Sequence, residues 1–260
     1  MGQLDWTVAD GIGTLVINRP ESRNAFTMSM IRDWEEILRS CRTDDGVRVV
    51  ILTGAGDRAF CAGIDLSWLT EGHTPLERKT DLHAGIQRIA LAVEDLDKPI
   101  IAAINGVAVG AGLDMALMCD MRVMSSTARV SEGYVKLGLA PGGGGAYFLP
   151  RLVGLAKALE LLLTGEPVDA AEALRIGLVN QVVAPHELAE TVLTLARSIA
   201  ANPPASVRMI RRVTRQSASL ELRPALDLVS SHVAVLATTD DVGEALSAMT
   251  ERRDGKYVGR

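Results

Sequence analysis

Two glycine-punctuated turns, each following an apolar run, limit what this chain can fold into more than any other feature. The first is Phe60-Cys61-Ala62-Gly63-Ile64-Asp65, after the run Val47 to Leu52. The second is Asn105-Gly106-Val107-Ala108-Val109-Gly110-Ala111-Gly112-Leu113-Asp114, after Ile100 to Ile104. Both runs read as strands. The second turn enters a helix-like stretch, Leu113 to Met118, and the first leads toward one. Glycine lets the backbone turn sharply and lets another group come close to its N–H donors. A helix start adds unpaired N–H groups and partial positive charge. Brought together, two such turns would cradle an oxygen that gains negative charge, as an oxyanion hole does.

The rest of the chain supplies a layered frame for those turns. Residues 4 to 18 alternate loosely around Asp10-Gly11, a hairpin signal. Ile31, Trp34, Ile37, Leu38 and Cys41 fall at helical spacing, as do Leu82, Ile86, Ile89, Ala90 and Val93. Strand and helix thus alternate through the first 150 residues, the pattern of an α/β protein. Beyond Pro150, helices are expected at Ala156 to Leu163 and Ala170 to Ile176, closed by Gly165 and Gly177, with a short strand at Val179 to Val183. From Glu187 the chain reads as almost all helix. The expected division is a core over 1–200 and a helical region over 201–260 that caps the core or supplies oligomer contacts.

Composition narrows the functional classes. The chain has 260 residues, 48% hydrophobic but only 3% aromatic, so its core must be aliphatic. A formal net charge of −5 argues against bulk nucleic-acid binding. Arg208, Arg211, Arg212 and Arg215 would nevertheless share one helix face. A solvated face or an anion contact at an oligomer seam is the expected reading there, ahead of RNA binding. Cys41, Cys61 and Cys119 read as reduced, buried thiols. No apolar run approaches the roughly 20 residues that span a bilayer, and Met1 to Trp6 does not resemble a signal peptide, so a cytoplasmic, non-membrane protein is expected. His73, His186 and His232 show no convergent spacing, and no metal site is expected. Met115 stands where a dinucleotide fingerprint needs a small residue, and neither a phosphate loop nor a Gly-x-Ser-x-Gly elbow occurs.

The order of motifs resembles the enoyl-CoA hydratase/isomerase family, the crotonases. It runs through Asn18-Arg19-Pro20, Asn24-Ala25, the two glycine turns, Leu137-Gly138-Leu139-Ala140-Pro141-Gly142, Leu163-Thr164-Gly165, Ala171-Glu172-Ala173 and Gly177-Leu178-Val179. The resemblance implies a spiral of ββα repeats with a helical C-terminal region, assembled as trimers or pairs of trimers. It implies acyl-CoA thioesters as ligands, with coenzyme A entering as part of the substrate and no separate cofactor. The N–H groups of Ile64 and Ala111 would bind the thioester oxygen. Arg23 and Ala25, with Ala62, Asp65 and Gly110 from the turns, would contact the acyl-CoA, Arg23 as a candidate phosphate contact.

By the same resemblance, the two glutamates of the family's hydratases align with Asp114 and Tyr134, a real departure. Asp114 keeps a carboxylate, one methylene shorter, and is the best acid/base candidate. Tyr134 is a poor base, since an unperturbed phenol has a pKa of about 10. It could donate a hydrogen bond, act as an acid, or shape the acyl site. Glu132, two residues earlier and on the same face if the segment is extended, is a possible substitute base. Gly142 to Gly145 occupy a loop where some relatives carry an aspartate, so no side chain is available there. His83, on the preceding helix, is a further candidate for the pocket. The default expectation is hydration of a trans-2-enoyl-CoA, followed by double-bond isomerisation with Asp114 as the single base. An acyl-CoA hydrolase or lyase, or a silent acyl-CoA binder, comes after these.

Overall fold

A computed structural model describes residues 3–70, 72 and 74–260, and His73 lies outside these. The chain opens with a hairpin, β1 (Leu4–Ala9) and β2 (Ile12–Ile17), turned at Asp10 and Gly11, whose φ angles are 52° and 77°. Positive φ at both central residues matches the right-handed twist of the strands. Eight more strands follow: β3 (Val49–Gly54), β4 (Ala59–Cys61), β5 (Ile100–Ile104), β6 (Val107–Val109), β7 (Met121–Ser125), β8 (Arg129–Ser131), β9 (Val168–Asp169) and β10 (Gln181–Val183). The main sheet has the order β1-β2-β3-β5-β7-β10 and is parallel from β2 onward. A second sheet, β4-β6-β8-β9, is built from the short strands that directly follow β3, β5 and β7, with β9 added antiparallel to β8. Long strand, short strand and helix or helical turn recur along the chain, which is the ββα spiral.

The strands read as continuous apolar runs because both faces of the main sheet are covered. Val50, Leu52, Ile100 and Ala102 face Trp34, Leu38, Ile89 and Val93 of the helices Met28–Thr43 and Gln87–Asp95. The alternate residues Val49, Ile51, Ile101 and Ala103 face Leu188, Val192 and Ala196 of the helix Leu188–Ala200. Strand β3 begins two residues later than expected because the Val47 N–H closes a turn onto the Asp44 carbonyl, 3.0 Å away. No helix among the described residues is long and apolar enough to cross a membrane.

Parallel strands deliver both glycine turns to the same edge, and two asparagine side chains fasten that edge. Asn24, fully buried, donates to the carbonyls of Ala59 at 2.7 Å and Ala55 at 3.0 Å. Asn105 donates to those of Gly54 at 2.9 Å and Gly56 at 2.8 Å. Each side-chain amide replaces ladder bonds that the turning backbone cannot make.

Arg211 and Arg215 on the helix Pro204–Ser217 are turned into the chain itself, which corrects the expectation of a solvated face. Arg211 donates to Asp120 Oδ2 at 2.8 Å and to the Val93 carbonyl at 2.8 Å, while Arg215 reaches Asp120 Oδ1 at 2.7 Å. Arg212 pairs with Asp97. The face is an intramolecular clamp, with the Arg211 side chain only 5% exposed. Removing Arg211 leaves Asp120 held by Arg215 and the Ile100 N–H, so the cost is that of the lost bonds to charged groups, about 1.5–3 kcal/mol each. Arg211→Ala is therefore expected to lower the denaturant midpoint strongly, and an unchanged midpoint would contradict the clamp.

Candidate active site

The two glycine turns meet backbone to backbone. Gly63 has φ 102°, and a Cβ placed on it would lie 3.7 Å from the Ala111 nitrogen. Gly112 is pressed so closely on the first turn that an added Cβ would sit 2.7 Å from the Cys61 carbonyl carbon. Ile64 forms an isolated parallel bridge with Phe26, in which Phe26 N–H donates to Gly63 O at 2.9 Å and Asp65 N–H to Phe26 O at 2.8 Å. Strand alternation then turns the Ile64 N–H away from Phe26. Ala111 is the first residue of the helix Ala111–Leu117, so its N–H has no acceptor within that helix. These are the two amides that the sequence singled out.

Asp114 lies less than one turn further along this helix and is fully buried. Its Oδ2 accepts the Tyr134 hydroxyl at 2.5 Å and the Gly143 N–H at 2.9 Å. Tyr134 in turn packs its ring near Gly110, where a Cβ would meet Cε2 at 3.6 Å. The phenol thus bridges from the second glycine turn to the carboxylate. Glu132 joins the same cluster. It is 2% exposed, and a single point, the Cβ position of Gly145, lies within 2.8 Å of both Glu132 Oε1 and Asp114 Oδ1.

The segment after Glu132 is a 3-10 turn, Gly133–Leu137, and not the extended stretch expected from the sequence. Glu132 therefore does not share a strand face with Tyr134. The two side chains converge on Asp114 because the chain curls between them. The glycine loop has a role that its lack of side chains concealed. A Cβ on Gly143 would fall 2.6 Å from Asp114 Oδ2, and Gly145 is equally crowded by the two carboxyls. Only glycine lets this loop bring its amides onto a buried carboxylate, and the run of four glycines was the available signal.

Burial raises the Asp114 carboxyl above the usual aspartate range, and the donors from Tyr134 and Gly143 partly offset that rise. Glu132 is raised by burial and then by the charge of Asp114 beside it. The Tyr134 phenol is raised by burial and by Asp114, so it stays protonated and acts as a donor. Burial pushes the Cys61 thiol up to about 12, so it supplies no thiolate at the turn.

Other expected contacts are placed differently. Asp65 has both oxygens engaged by its own chain, Oδ1 by Ser67 N–H at 3.1 Å and Oδ2 by Arg19 at 3.0 Å. Instead of being free for a ligand, it fixes the first turn. His83 is exposed on the π-helical stretch Leu82–Ile86, while its neighbour Leu82 is the residue that reaches Gly142. His83 is thus not brought to the carboxyl cluster. Arg23 is exposed, and its carbonyl accepts the Ala62 N–H at 3.0 Å, which joins the Arg23–Ala25 loop to the first glycine turn. An open groove of about 880 Å³ lies beside Leu117, Phe148 and Arg211 and includes none of Asp114, Glu132 or Tyr134. Acid–base groups define the site here better than open volume does. Among the described residues, no three His, Cys, Asp or Glu side chains gather as a metal site.

The family model for enoyl-CoA hydratase/isomerase matches residues 7–260. This chain belongs to the enoyl-CoA hydratase/isomerase family. It is 37% identical to a short-chain-enoyl-CoA hydratase of Clostridium acetobutylicum, over 93% of this chain and 92% of that one. It is 35% identical to a 1,2-epoxyphenylacetyl-CoA isomerase of Escherichia coli, over 97% of each. The crystal structure of an enoyl-CoA hydratase from Bacillus anthracis superposes with a TM-score of 0.96 at 33% identity, covering 100% of both chains. Family membership makes this chain an enzyme of the hydratase/isomerase type acting on acyl-CoA, and confirms the crotonase fold expected from the motif order.

Within an enoyl-CoA hydratase/isomerase, the Tyr134 bond to Asp114 has a measurable consequence. The phenol helps to hold Asp114 ionised, so Tyr134→Phe should move the acid limb of the rate profile to higher pH. Losing a hydrogen bond to a charged group is worth about 1.5–3 kcal/mol. An unshifted acid limb in the variant would show that the phenol does not support this carboxylate.

Proposed function

We propose that this enzyme hydrates a trans-2-enoyl-CoA to a 3-hydroxyacyl-CoA through a thioester enolate. In this reading the Ile64 and Ala111 N–H groups receive the thioester oxygen. Asp114 takes a proton from water as the water oxygen bonds to C3. The electron pair of the C2=C3 bond moves into the thioester and forms the enolate. The protonated Asp114 then returns that proton to C2, so that one water is added overall. Tyr134 keeps the carboxylate oriented by donating to Oδ2. The observation that carries the reading is the hydrogen-bonded Asp114–Tyr134 pair beside two converging backbone amides. Relatives named short-chain-enoyl-CoA hydratase and crotonyl-CoA hydratase support the choice of hydration.

Double-bond isomerisation is the second reading, favoured by the absence of a carboxylate at Tyr134. Asp114 would remove the C2 proton of a 3-enoyl-CoA and return it to C4, moving the double bond to C2=C3. Following the conjugated thioester absorbance separates the two. Loss of absorbance from 2-enoyl-CoAs supports hydration. Its appearance from 3-enoyl-CoAs, with 2-enoyl-CoAs left unchanged, overturns hydration in favour of isomerisation.

Residues 201–260 would cap the core and form contacts in a homotrimer or pair of trimers. Leu222, Leu226, Leu246 and Met249, all exposed on this chain, support that role. Sedimentation showing a monomer at micromolar concentration would contradict it.

A further inference from the structure

We infer that Glu132 is a positioning residue that stays protonated and donates its O–H to Asp114 Oδ1, so that the buried pair carries one negative charge and one shared proton. This rests on Asp114 being the acid/base group of the proposed reaction, but the first test below does not depend on that reading.

The geometry leaves little alternative. Asp114 Oδ1 and both Glu132 carboxyl oxygens are buried, and no donor outside the pair satisfies them. Buried polar atoms without partners are rare, and a buried charge without one is strongly disfavoured. The Tyr134 hydroxyl and the Gly143 N–H both go to Asp114 Oδ2, and the Gly145 N–H, which also favours the Asp114 carboxylate, closes no hydrogen bond to Oδ1. Among the described residues, the groups that shift the two carboxyls are each other, Tyr134 and the loop amides, with no lysine, arginine or histidine among them. Two carboxylates close together in such surroundings cannot both ionise. One proton on Glu132 gives Oδ1 a donor, removes one charge, and leaves the negative charge on the oxygen pair that Tyr134 and Gly143 already serve.

The arrangement also gives the family's missing second carboxylate a physical replacement. Glu132 is not the substitute base that the sequence suggested, because it is the member of the pair that keeps its proton. Its contribution is to fix the rotamer of Asp114 from the side opposite Tyr134 and to hold its proton affinity in the working range. Gly145 is required beside it, since a side chain there would separate the two carboxyls.

Infrared difference spectroscopy on the whole protein at neutral pH tests this directly. The wild type should show a buried, protonated carboxyl stretch. Carboxyl-13C-glutamate labelling should shift that band, and carboxyl-13C-aspartate labelling should not. No such band, or a band that moves with the aspartate label, overturns the inference whatever reaction the enzyme catalyses. A second test uses the rate profile. Glu132→Gln retains an N–H donor for Asp114, and its acid limb should stay close to wild type. Glu132→Leu loses the donor, so Asp114 should be harder to ionise and the acid limb should move to higher pH. If Glu132→Leu folds and leaves the limb in place, Glu132 does not position Asp114. If Glu132→Leu does not fold, the labelling result stands on its own. Labelling that supports the shared proton, together with no turnover of any acyl-CoA, would reject the proposed function and leave this inference standing.

Discussion

Asp114→Asn is expected to lower turnover by about 10²–10⁴-fold, the usual contribution of a positioned acid/base group. The amide can replace the carboxylate sterically. Its oxygen can still accept from Tyr134 and Gly143, and its NH₂ can donate to the carbonyl oxygen of the Glu132 carboxyl, so the pair stays hydrogen-bonded with the direction reversed. Thermal stability should therefore change little while turnover falls, with KM nearly unchanged because the amide binds no worse than the carboxylate. Steady-state kinetics combined with thermal unfolding separates these effects. A loss of less than about tenfold would remove Asp114 from the proton-transfer role.

Gly112→Ala is the second large effect, and it acts through the backbone. The new methyl group would meet the Cys61 carbonyl, which belongs to the first glycine turn and cannot rotate away. The helix Ala111–Leu117 must move off that turn to accommodate it. Overpacking of this kind costs about 1–3 kcal/mol, and a displacement of about 1 Å at a reacting centre can cost about 100-fold in rate. A fall in both melting temperature and turnover is expected. Gly243→Ala is the matched control, because that glycine lies in the helix Asp240–Glu251 with nothing within 4 Å of a new Cβ. It should be neutral or stabilise by up to about 1 kcal/mol. A Gly112→Ala enzyme with wild-type melting temperature and activity would show that the close contact between the turns is not required.

Much of this was legible in the sequence because it depended on local pattern. The apolar runs Val47 to Leu52 and Ile100 to Ile104 announce strands, and the structure places strands at Val49–Gly54 and Ile100–Ile104 and covers both faces with helices. Gly63, Gly110 and Gly112 announce turns that must approach closely, and the structure places those turns in backbone contact. What escaped sequence reading depends on partners far away in the chain. Arg211 reads as a surface charge until Asp120, 91 residues away, is seen to accept from it. Glu132 and Tyr134 look like neighbours on a strand, but a 3-10 turn sends both to a helix 20 residues earlier in the chain from Tyr134. The run of glycines at 142–145 signalled a close approach but not its partner, because the residue that needs the space is Asp114, 29 residues before Gly143.

The central claim is that two backbone amides and Asp114 together form and discharge a thioester enolate. Exchange of the C2 protons of a saturated acyl-CoA in D₂O tests it most directly, because exchange requires the enolate but neither hydration nor migration of a double bond. Wild type is expected to incorporate deuterium at C2, and Asp114→Asn to lose nearly all of that exchange. Equal exchange in the two proteins, or none in a wild type that still binds the acyl-CoA, would contradict the claim.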